Sequence, residues 1–127
     1  MFQKNIFLIL LCSLLFISCS SKQPKKVLSA TILFKTPTMK FYDLGFIKKY
    51  NNFISLNILN AGTTILKLNV YKDKICKSTF QCISSQDFNY KYLSSTYNDN
   101  FLYNLLNQNK IYFKDTINNI FIKIKYH

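Results

Sequence analysis

The sequence contains no Arg, no Glu and no Trp, and its only His is the last residue, His127. All 17 basic side chains are therefore Lys, and all 5 acidic side chains are Asp. The residues that most often act as general acids and bases are largely missing. No G-x-S-x-G, G-x-G-x-x-G or G-x-x-x-x-G-K-[ST] motif occurs, which argues against a nucleophile elbow and a phosphate-cradling loop. We expect no catalytic residue, cofactor or metal; an enzyme would need a pocket in which an Asp meets a Tyr or Lys with a strongly shifted pKa.

Glycine and proline are also scarce, with 2 of each in 127 residues, whereas 49% of the residues are hydrophobic and 17% are aromatic. This composition excludes collagen-like repeats and intrinsic disorder. The length supports at most one small folded domain.

A long apolar run occurs only near the start of the chain, at residues 6–17, after Lys4. As a helix it would be about 18 Å long, short of the ~30 Å hydrocarbon core of a bilayer. It is followed by Phe16-Ile17-Ser18-Cys19, which resembles the lipobox of bacterial lipoproteins. We therefore predict a signal peptide at 1–18, cleavage after Ser18 and a palmitate-bearing Cys19, so that the protein is anchored to a membrane without spanning it. An ordinary secretory signal with a chance Cys is the alternative.

The segment that follows the predicted anchor, residues 20–26, is polar and contains Pro24. Together with the lipidated Cys19 it is predicted to form a flexible tether, residues 19–26. In bacterial lipoproteins an Asp after the lipidated Cys usually signals retention in the inner membrane. Ser20 stands there, so by this resemblance we expect a cell-envelope location, at the outer membrane.

The four cysteines divide into three groups if the lipobox is used. Cys12 leaves with the signal peptide and Cys19 carries lipid, which leaves Cys76 and Cys82 as a pair in an oxidising compartment. We predict a disulfide between them, with the chain turning through the five residues that separate them. A zinc site is the sharper alternative, but no His lies nearby, and the spacing differs from the C-x-x-C of redox motifs.

Residues 27–127 show mainly strand periodicity, with alternating apolar and polar residues at 53–59, 64–70 and 120–126. The runs 27–34, 40–48 and 110–114 are further strands. Gly62 is expected to take a positive φ in a hairpin turn. A short helix should begin after Ser84, and a second one, capped by Asn98 or Asp99, should carry an apolar stripe. The pattern predicts a mainly β fold, an antiparallel β-sandwich or partly open barrel with one or two short helices; the alternative is an α+β domain whose helices cover one antiparallel sheet.

Two segments carry a family resemblance: NFISLNILNAGTTILKLNVYKDKIC, within residues 50–82, and the later NDNFLYNLLNQNKIYF. They resemble a family of small lipoproteins of Helicobacter and Campylobacter type. The resemblance implies an immunoglobulin-like β-sandwich on a lipid anchor and no assigned biochemical role.

Net charge is the main hint about partners. Without residues 1–18, which contain one Lys, the chain has 16 Lys and 5 Asp, a net charge of +11. Such a chain attracts anionic lipid head groups, lipopolysaccharide or acidic glycans, and an envelope protein is a further candidate partner. Lys beside aromatic residues, as in Lys40-Phe41-Tyr42 and Tyr90-Lys91-Tyr92, also suits single-stranded nucleic acid, but an exported lipoprotein rarely meets it. The alternative interpretation is that the lysines form a solvated surface without a function.

Two functions fit these observations. The first is a non-catalytic binding or structural module of the cell envelope. The second is a surface-exposed adhesin or host-contact antigen.

Overall fold

The computed structural model describes residues 2–14, 22–77 and 81–127. The predicted cleavage site at Ser18 and the predicted lipidation site at Cys19 lie outside these residues. The elements in chain order are α1 (Phe2–Leu14), β1 (Lys26–Lys35), β2 (Lys40–Lys49), β3 (Ile54–Asn60), β4 (Thr63–Val70), β5 (Lys74–Cys76), β6 (Cys82–Ser84), α2 (Ser85–Tyr92), α3 (Phe101–Leu106), β7 (Ile111–Asp115) and β8 (Ile120–Tyr126).

All eight strands belong to one antiparallel sheet with the order β6-β5-β4-β3-β2-β1-β8-β7. β1 to β6 form a meander that grows from the middle of the sheet to one edge. β8 pairs with the free side of β1, and β7 pairs with β8 to form the other edge. The connection from β6 to β7 therefore has to pass from one edge of the sheet to the other, and it contains α2 and α3.

The core lies on one face of the sheet, called here the inner face. Successive strand residues point to opposite faces, so each strand contributes every second residue. Ladder partners such as Ile32 and Ile124, or Leu56 and Leu68, are buried together. The two helices supply the other side of the core through Phe88, Leu102 and Leu106, which belong to the same apolar cluster. An apolar layer is thus enclosed between a sheet and a pair of short helices.

The mainly β, antiparallel prediction is confirmed, and the fold is sandwich-like in having two layers around one core. The detail that differs is the second layer, because the strands form one continuous hydrogen-bonded sheet and the helices provide the opposite layer. This is the arrangement of the predicted α+β alternative. The β6 to β7 connection, which carries apolar helix residues across the inner face, explains why no second sheet is needed.

The two short helices begin at different kinds of cap. Ser84 caps α2 by accepting a hydrogen bond from the Asp87 backbone N–H at 3.1 Å, as predicted. The predicted cap of α3 is wrong: the N-cap is Asn100, with no side-chain cap hydrogen bond. Asn98 contributes its backbone carbonyl, which accepts from the Phe101 N–H at 3.0 Å.

The turn between β3 and β4 is the predicted tight hairpin. Ala61 and Gly62 form a two-residue loop between the paired Asn60 and Thr63. Their φ values are +48° and +80°, respectively. Positive φ at both central residues is typical of a type I′ turn, which matches the right-handed twist of the flanking strands. Gly62 therefore adopts the predicted conformation, and Ala61 shares it.

α1 covers residues 2–14, within the predicted signal peptide. Among the described residues, none of the helices has the length and hydrophobicity that a transmembrane helix requires. The buried core cluster runs from Ala30 to Ile124 and includes no residue of α1. Residues 22–127 therefore contain the whole described core and form a folding unit without α1.

Candidate anion-binding sheet face

The face of the sheet opposite the core, called here the outer face, is rich in lysine. The ladder register places at least one lysine of every strand except β3 and β6 on this face. The eight outer-face lysines are Lys35, Lys40, Lys48, Lys67, Lys74, Lys114, Lys123 and Lys125. They make up half of the 16 lysines that follow residue 18.

No Asp side chain shares this face. Asp43 and Asp115 lie on the inner side of the sheet, because their ladder partners are the buried Ile32 and Ile120. Asp73 lies in the turn between β4 and β5, Asp87 lies in α2, and Asp99 precedes α3. The five acids of the chain are therefore segregated from the lysines of the outer face, which gives this face a strongly positive field.

Two lysine pairs lie directly opposite each other across the β1–β2 ladder. Lys35 pairs with Lys40 at the outer face, and Lys26 pairs with Lys49 at the other end of the hairpin, on the inner side. Desolvation, followed by repulsion from Lys26, lowers the pKa of Lys49. Like charges placed directly opposite destabilise a sheet, so this hairpin keeps its positive charge at a cost in stability.

Apolar and aromatic side chains lie between the outer-face lysines. Lys123 lies 6.0 Å from the ring centre of Tyr112, and Lys114 lies 5.6 Å from that of Phe121. Tyr42 and Leu44 are also exposed on this face. A depression of about 370 Å³, the aromatic depression, is lined by Thr31, Leu33, Tyr42, Phe121, Lys123, Lys125 and His127. The face thus combines positive charge with exposed apolar surface.

A second depression, the polar depression, has a volume of about 190 Å³ and crosses β2, β3 and β4. Its lining consists of Lys22, Lys48, Tyr50, Phe53, Ser55, Asn57, Lys67 and Asn69. Tyr50 and Phe53 form one wall, with stacked rings whose centres are 4.3 Å apart. Three ammonium groups, two carboxamides and two hydroxyls therefore line one shallow site.

The predicted disulfide is confirmed. Cys76 and Cys82 are directly opposite each other on β5 and β6, with Cα atoms 4.0 Å apart and a disulfide between their sulfur atoms. The bond joins the last two strands at one edge of the sheet. Beside it, the Lys77 ammonium donates to the Tyr92 hydroxyl at 3.1 Å. This hydrogen bond and that of Lys91 lower the pKa of Tyr92.

Tyr97 and Asp115 form an Asp–Tyr pair with a shifted pKa, which is one of the two features expected of an enzyme site; the other is a pocket. The Tyr97 hydroxyl donates to the Asp115 carboxylate, and burial, followed by this hydrogen bond, raises the pKa of Tyr97. Neither residue lines the two outer-face depressions. Within the described ranges, no group of three or more His, Cys, Asp or Glu side chains is placed to hold a metal ion.

The number of lysines is evident from the sequence, but their position on one common face is not. The missing information was the register of each strand, since a shift of one residue moves every side chain to the opposite face. Comparison with protein-family models, with curated proteins and with solved structures finds no match for this chain. The resemblance to small lipoproteins of Helicobacter and Campylobacter type therefore stays a prediction.

Proposed function

We propose that this protein is a lipid-anchored, non-catalytic binding module of a bacterial cell envelope, and that its outer face binds an anionic lipid surface. The single observation that carries the proposal is the segregation of charge: eight lysines and no Asp side chain on one sheet face. A lysine near an anionic membrane contributes about 1 kcal/mol. Several lysines acting together are therefore sufficient to orient the domain on a membrane.

The mixture of lysines with exposed Tyr42, Leu44 and Tyr112 favours a lipid surface over a purely soluble polyanion. Tyrosine is well suited to a membrane interface, because its ring is apolar and its hydroxyl end is polar. The predicted anchor supports the same partner. A lipid chain on Cys19 would keep the domain within reach of head groups, where exposed charges interact over a Debye length of about 8 Å.

Charge reversal on the two sides of the domain tests the binding surface. The 22–127 domain with Lys35→Glu, Lys123→Glu and Lys125→Glu would be compared with a control carrying Lys72→Glu, Lys91→Glu and Lys110→Glu. Both variants change the net charge equally, but the control lysines lie in a turn, in α2 and before β7.

Sedimentation with phosphatidylcholine vesicles, with and without phosphatidylglycerol, measures the binding. We expect the outer-face variant to lose about a hundredfold in affinity for the anionic vesicles, because at least three favourable contacts of about 1 kcal/mol are removed. The control should keep most of its affinity. Equal losses in both variants would contradict a specific binding face, and binding of soluble heparin in place of vesicles would point to a glycan.

Metabolic labelling tests the anchor separately. The full chain, expressed in a bacterium that processes lipoproteins, is expected to incorporate a palmitate analogue, and Cys19→Ser is expected to abolish the label. Absence of label on the unmodified chain would refute lipidation. Protease treatment of intact cells then distinguishes a periplasmic module from the alternative, an adhesin, because only a surface-exposed domain would be degraded.

A further inference from the structure

We infer that the polar depression is a binding site for one phosphate group, and that this phosphate belongs to a lipid head group of the membrane to which the protein is anchored. The inference rests on the proposed function and goes further, because it assigns a discrete site and a ligand chemistry within the outer face. It is carried by the floor of the depression, by the placement of its lysines and by its distance along the chain from Cys19.

The floor of the depression contains polar groups that the protein itself leaves without partners. Ser55 is only 3% exposed, yet its hydroxyl forms no hydrogen bond within the described part of the chain. The Oδ1 atoms of Asn57 and Asn69 are buried and also lack a partner there. These two oxygens are hydrogen-bond acceptors and cannot pair with an anion, so they do not themselves indicate one. Buried polar side chains are normally hydrogen-bonded, so the unpaired hydroxyl of Ser55 points to a ligand that accepts a hydrogen bond.

The amide nitrogens of the same two Asn residues are the atoms available to such a ligand. In each carboxamide the oxygen is buried. The nitrogen is not among the buried unpaired atoms, and it forms no hydrogen bond with another described residue. A carboxamide nitrogen carries two donors, and a serine hydroxyl carries one. The floor therefore offers donors, which is what an anion with several oxygen atoms requires.

The lysines are placed to reach an anion held on this floor. Lys48 is the ladder partner of Ser55, which in turn pairs with Asn69. Lys67 pairs with Asn57, one row further along the same face. With strands about 4.8 Å apart and about 6.8 Å between rows, the Cα atoms of Lys48 and Lys67 are separated by roughly 12 Å. Two extended lysine side chains can therefore converge on a group lying between them.

Lys22 connects the depression with the predicted anchor. It lines the depression, and it lies only three positions after Cys19 in the sequence. Three steps along an extended chain span at most about 10 Å. A lipid attached to Cys19 would therefore hold the depression beside the head groups of the same membrane, where phosphate is the abundant anion.

The chemistry of the site favours a phosphate over a carboxylate. A terminal phosphate, such as that of phosphatidic acid, carries a charge of about −1.5 to −2 at pH 7 and three acceptor oxygens, more than the single charge and two free oxygens of a carboxylate or a phosphodiester. Three ammonium groups can neutralise such a charge, and the serine and amide donors can occupy its remaining lone pairs. A volume of about 190 Å³ equals that of about six water molecules in the liquid, which is enough room for one phosphate.

Titration of the 22–127 domain with inorganic phosphate tests the site directly. The side-chain amide signals of Asn57 and Asn69 are followed by NMR at constant ionic strength, with chloride as the reference anion. The test variant carries Lys48→Gln and Lys67→Gln. The matched control carries Lys40→Gln and Lys114→Gln, which removes the same charge from the same face outside both depressions.

We expect phosphate to shift the two Asn side-chain signals and the test variant to bind phosphate at least about tenfold more weakly, while the control changes by less than about twofold. Equal weakening in both variants, or no shift of the Asn signals, would overturn the site. An unchanged urea unfolding curve establishes that each variant is folded. Ser55→Ala, which leaves the charge unchanged, is expected to weaken binding in the same direction.

Vesicles distinguish a head-group phosphate from free phosphate. The domain is expected to bind vesicles containing phosphatidic acid, a terminal phosphate, more tightly than phosphatidylglycerol vesicles of equal surface potential. Only the Lys48 and Lys67 variant should lose this preference. Binding of inorganic phosphate without a preference between the two vesicles would refute a head-group ligand, and equal binding of both vesicles by all variants would leave the proposed function intact but remove the site. Binding of neither vesicle would contradict the proposed function itself.

Discussion

The Tyr97 hydroxyl donates a hydrogen bond to Oδ2 of Asp115, and through it the segment between α2 and α3 is tied to the end of β7. The ring of Tyr97 packs against Phe101 and Phe113, with centres 4.4 and 5.7 Å away. Asn118 donates to the same carboxylate from its backbone and from its side chain. One carboxylate therefore joins the crossing connection to the β7–β8 turn.

Removal of this hydrogen bond should weaken the attachment of the crossing segment to the sheet. We expect Tyr97→Phe to lower the free energy of unfolding in urea, because the ring is kept while the bond to a carboxylate is lost. Tyr90→Phe is the matched control, since Tyr90 is 77% exposed and its hydroxyl has no described partner. Equal stability of the two variants would show that the bond contributes nothing.

The same carboxylate predicts how stability depends on pH. Hydrogen bonds from Asn118 and then from Tyr97 lower the pKa of the Asp115 carboxyl below its ordinary value. A lowered folded-state pKa stabilises the protein above the unfolded value, and this contribution is lost as the pH falls through the folded value. Asp115→Asn should therefore cost most at neutral pH and least in acid. A difference that stays constant from pH 7 to pH 2 would contradict this linkage.

The Cys76–Cys82 disulfide should act as a local staple at the edge of the sheet. In the chain-entropy model, a ring closed by residues six positions apart contributes about 2 kcal/mol. We expect the double variant Cys76→Ala, Cys82→Ala to lose about this amount in urea unfolding and to keep its fold, since β5 and β6 have only three residues each. Reduction of the unmodified protein should give the same loss. A loss of all cooperative unfolding would mean that the disulfide holds more than an edge.

The strands that the sequence predicted best are those with clean alternation. In β3, Ile54, Leu56 and Ile58 are buried. Their ladder partners in β4, which are also every second residue, are buried as well. β2 is different because apolar residues occupy both of its faces. Ile47 is in the core, whereas Tyr42 and Leu44 are exposed on the outer face. Such a strand can be recognised from its composition, but which of its residues face the core depends on its register with the neighbouring strands.

The single sheet could not be predicted for a related reason. Its edges, β6 and β7, are separated in sequence by α2 and α3, and their positions depend on the long-range pairing of β8 with β1. Local periodicity contains no information on that pairing. The lysines of the outer face become one surface only when β8 and β7 join on one side of β1 and β2 to β5 on the other. The candidate site is therefore a consequence of topology and not of any motif.

Gly45 is required by the close approach of β2 to its neighbours. A Cβ atom at this position would lie 2.2 Å from the Asn57 carbonyl oxygen and 2.6 Å from Cδ1 of Ile32. The Ile32 side chain can move, but the backbone oxygen can move only with strand β3. We expect Gly45→Ala to destabilise the domain by about 1–3 kcal/mol in urea unfolding. An unchanged unfolding midpoint would show that β2 and β3 separate easily.

The β3–β4 turn offers a stabilising substitution. Ala61 has a φ of +48°, which costs an ordinary L-residue about 1–2 kcal/mol. Asn tolerates this conformation, and Asn-Gly is the preferred pair in a type I′ turn. Ala61→Asn should therefore raise the unfolding free energy by roughly 1 kcal/mol, and Ala61→Val should lower it. Thermal unfolding checks both signs, and a destabilised Asn variant would refute the turn assignment.

The Lys26–Lys49 pair predicts that positive charge limits the stability of this domain. The two residues are direct ladder partners, and the pKa of Lys49 is lowered by desolvation and then by Lys26. Lys26→Glu replaces repulsion by attraction and should stabilise the domain by up to about 1 kcal/mol, less at high salt. Lys110→Glu makes the same change in net charge at an exposed position before β7 and is the control. Equal stabilisation by both substitutions would show that net charge, and not this pair, sets the cost.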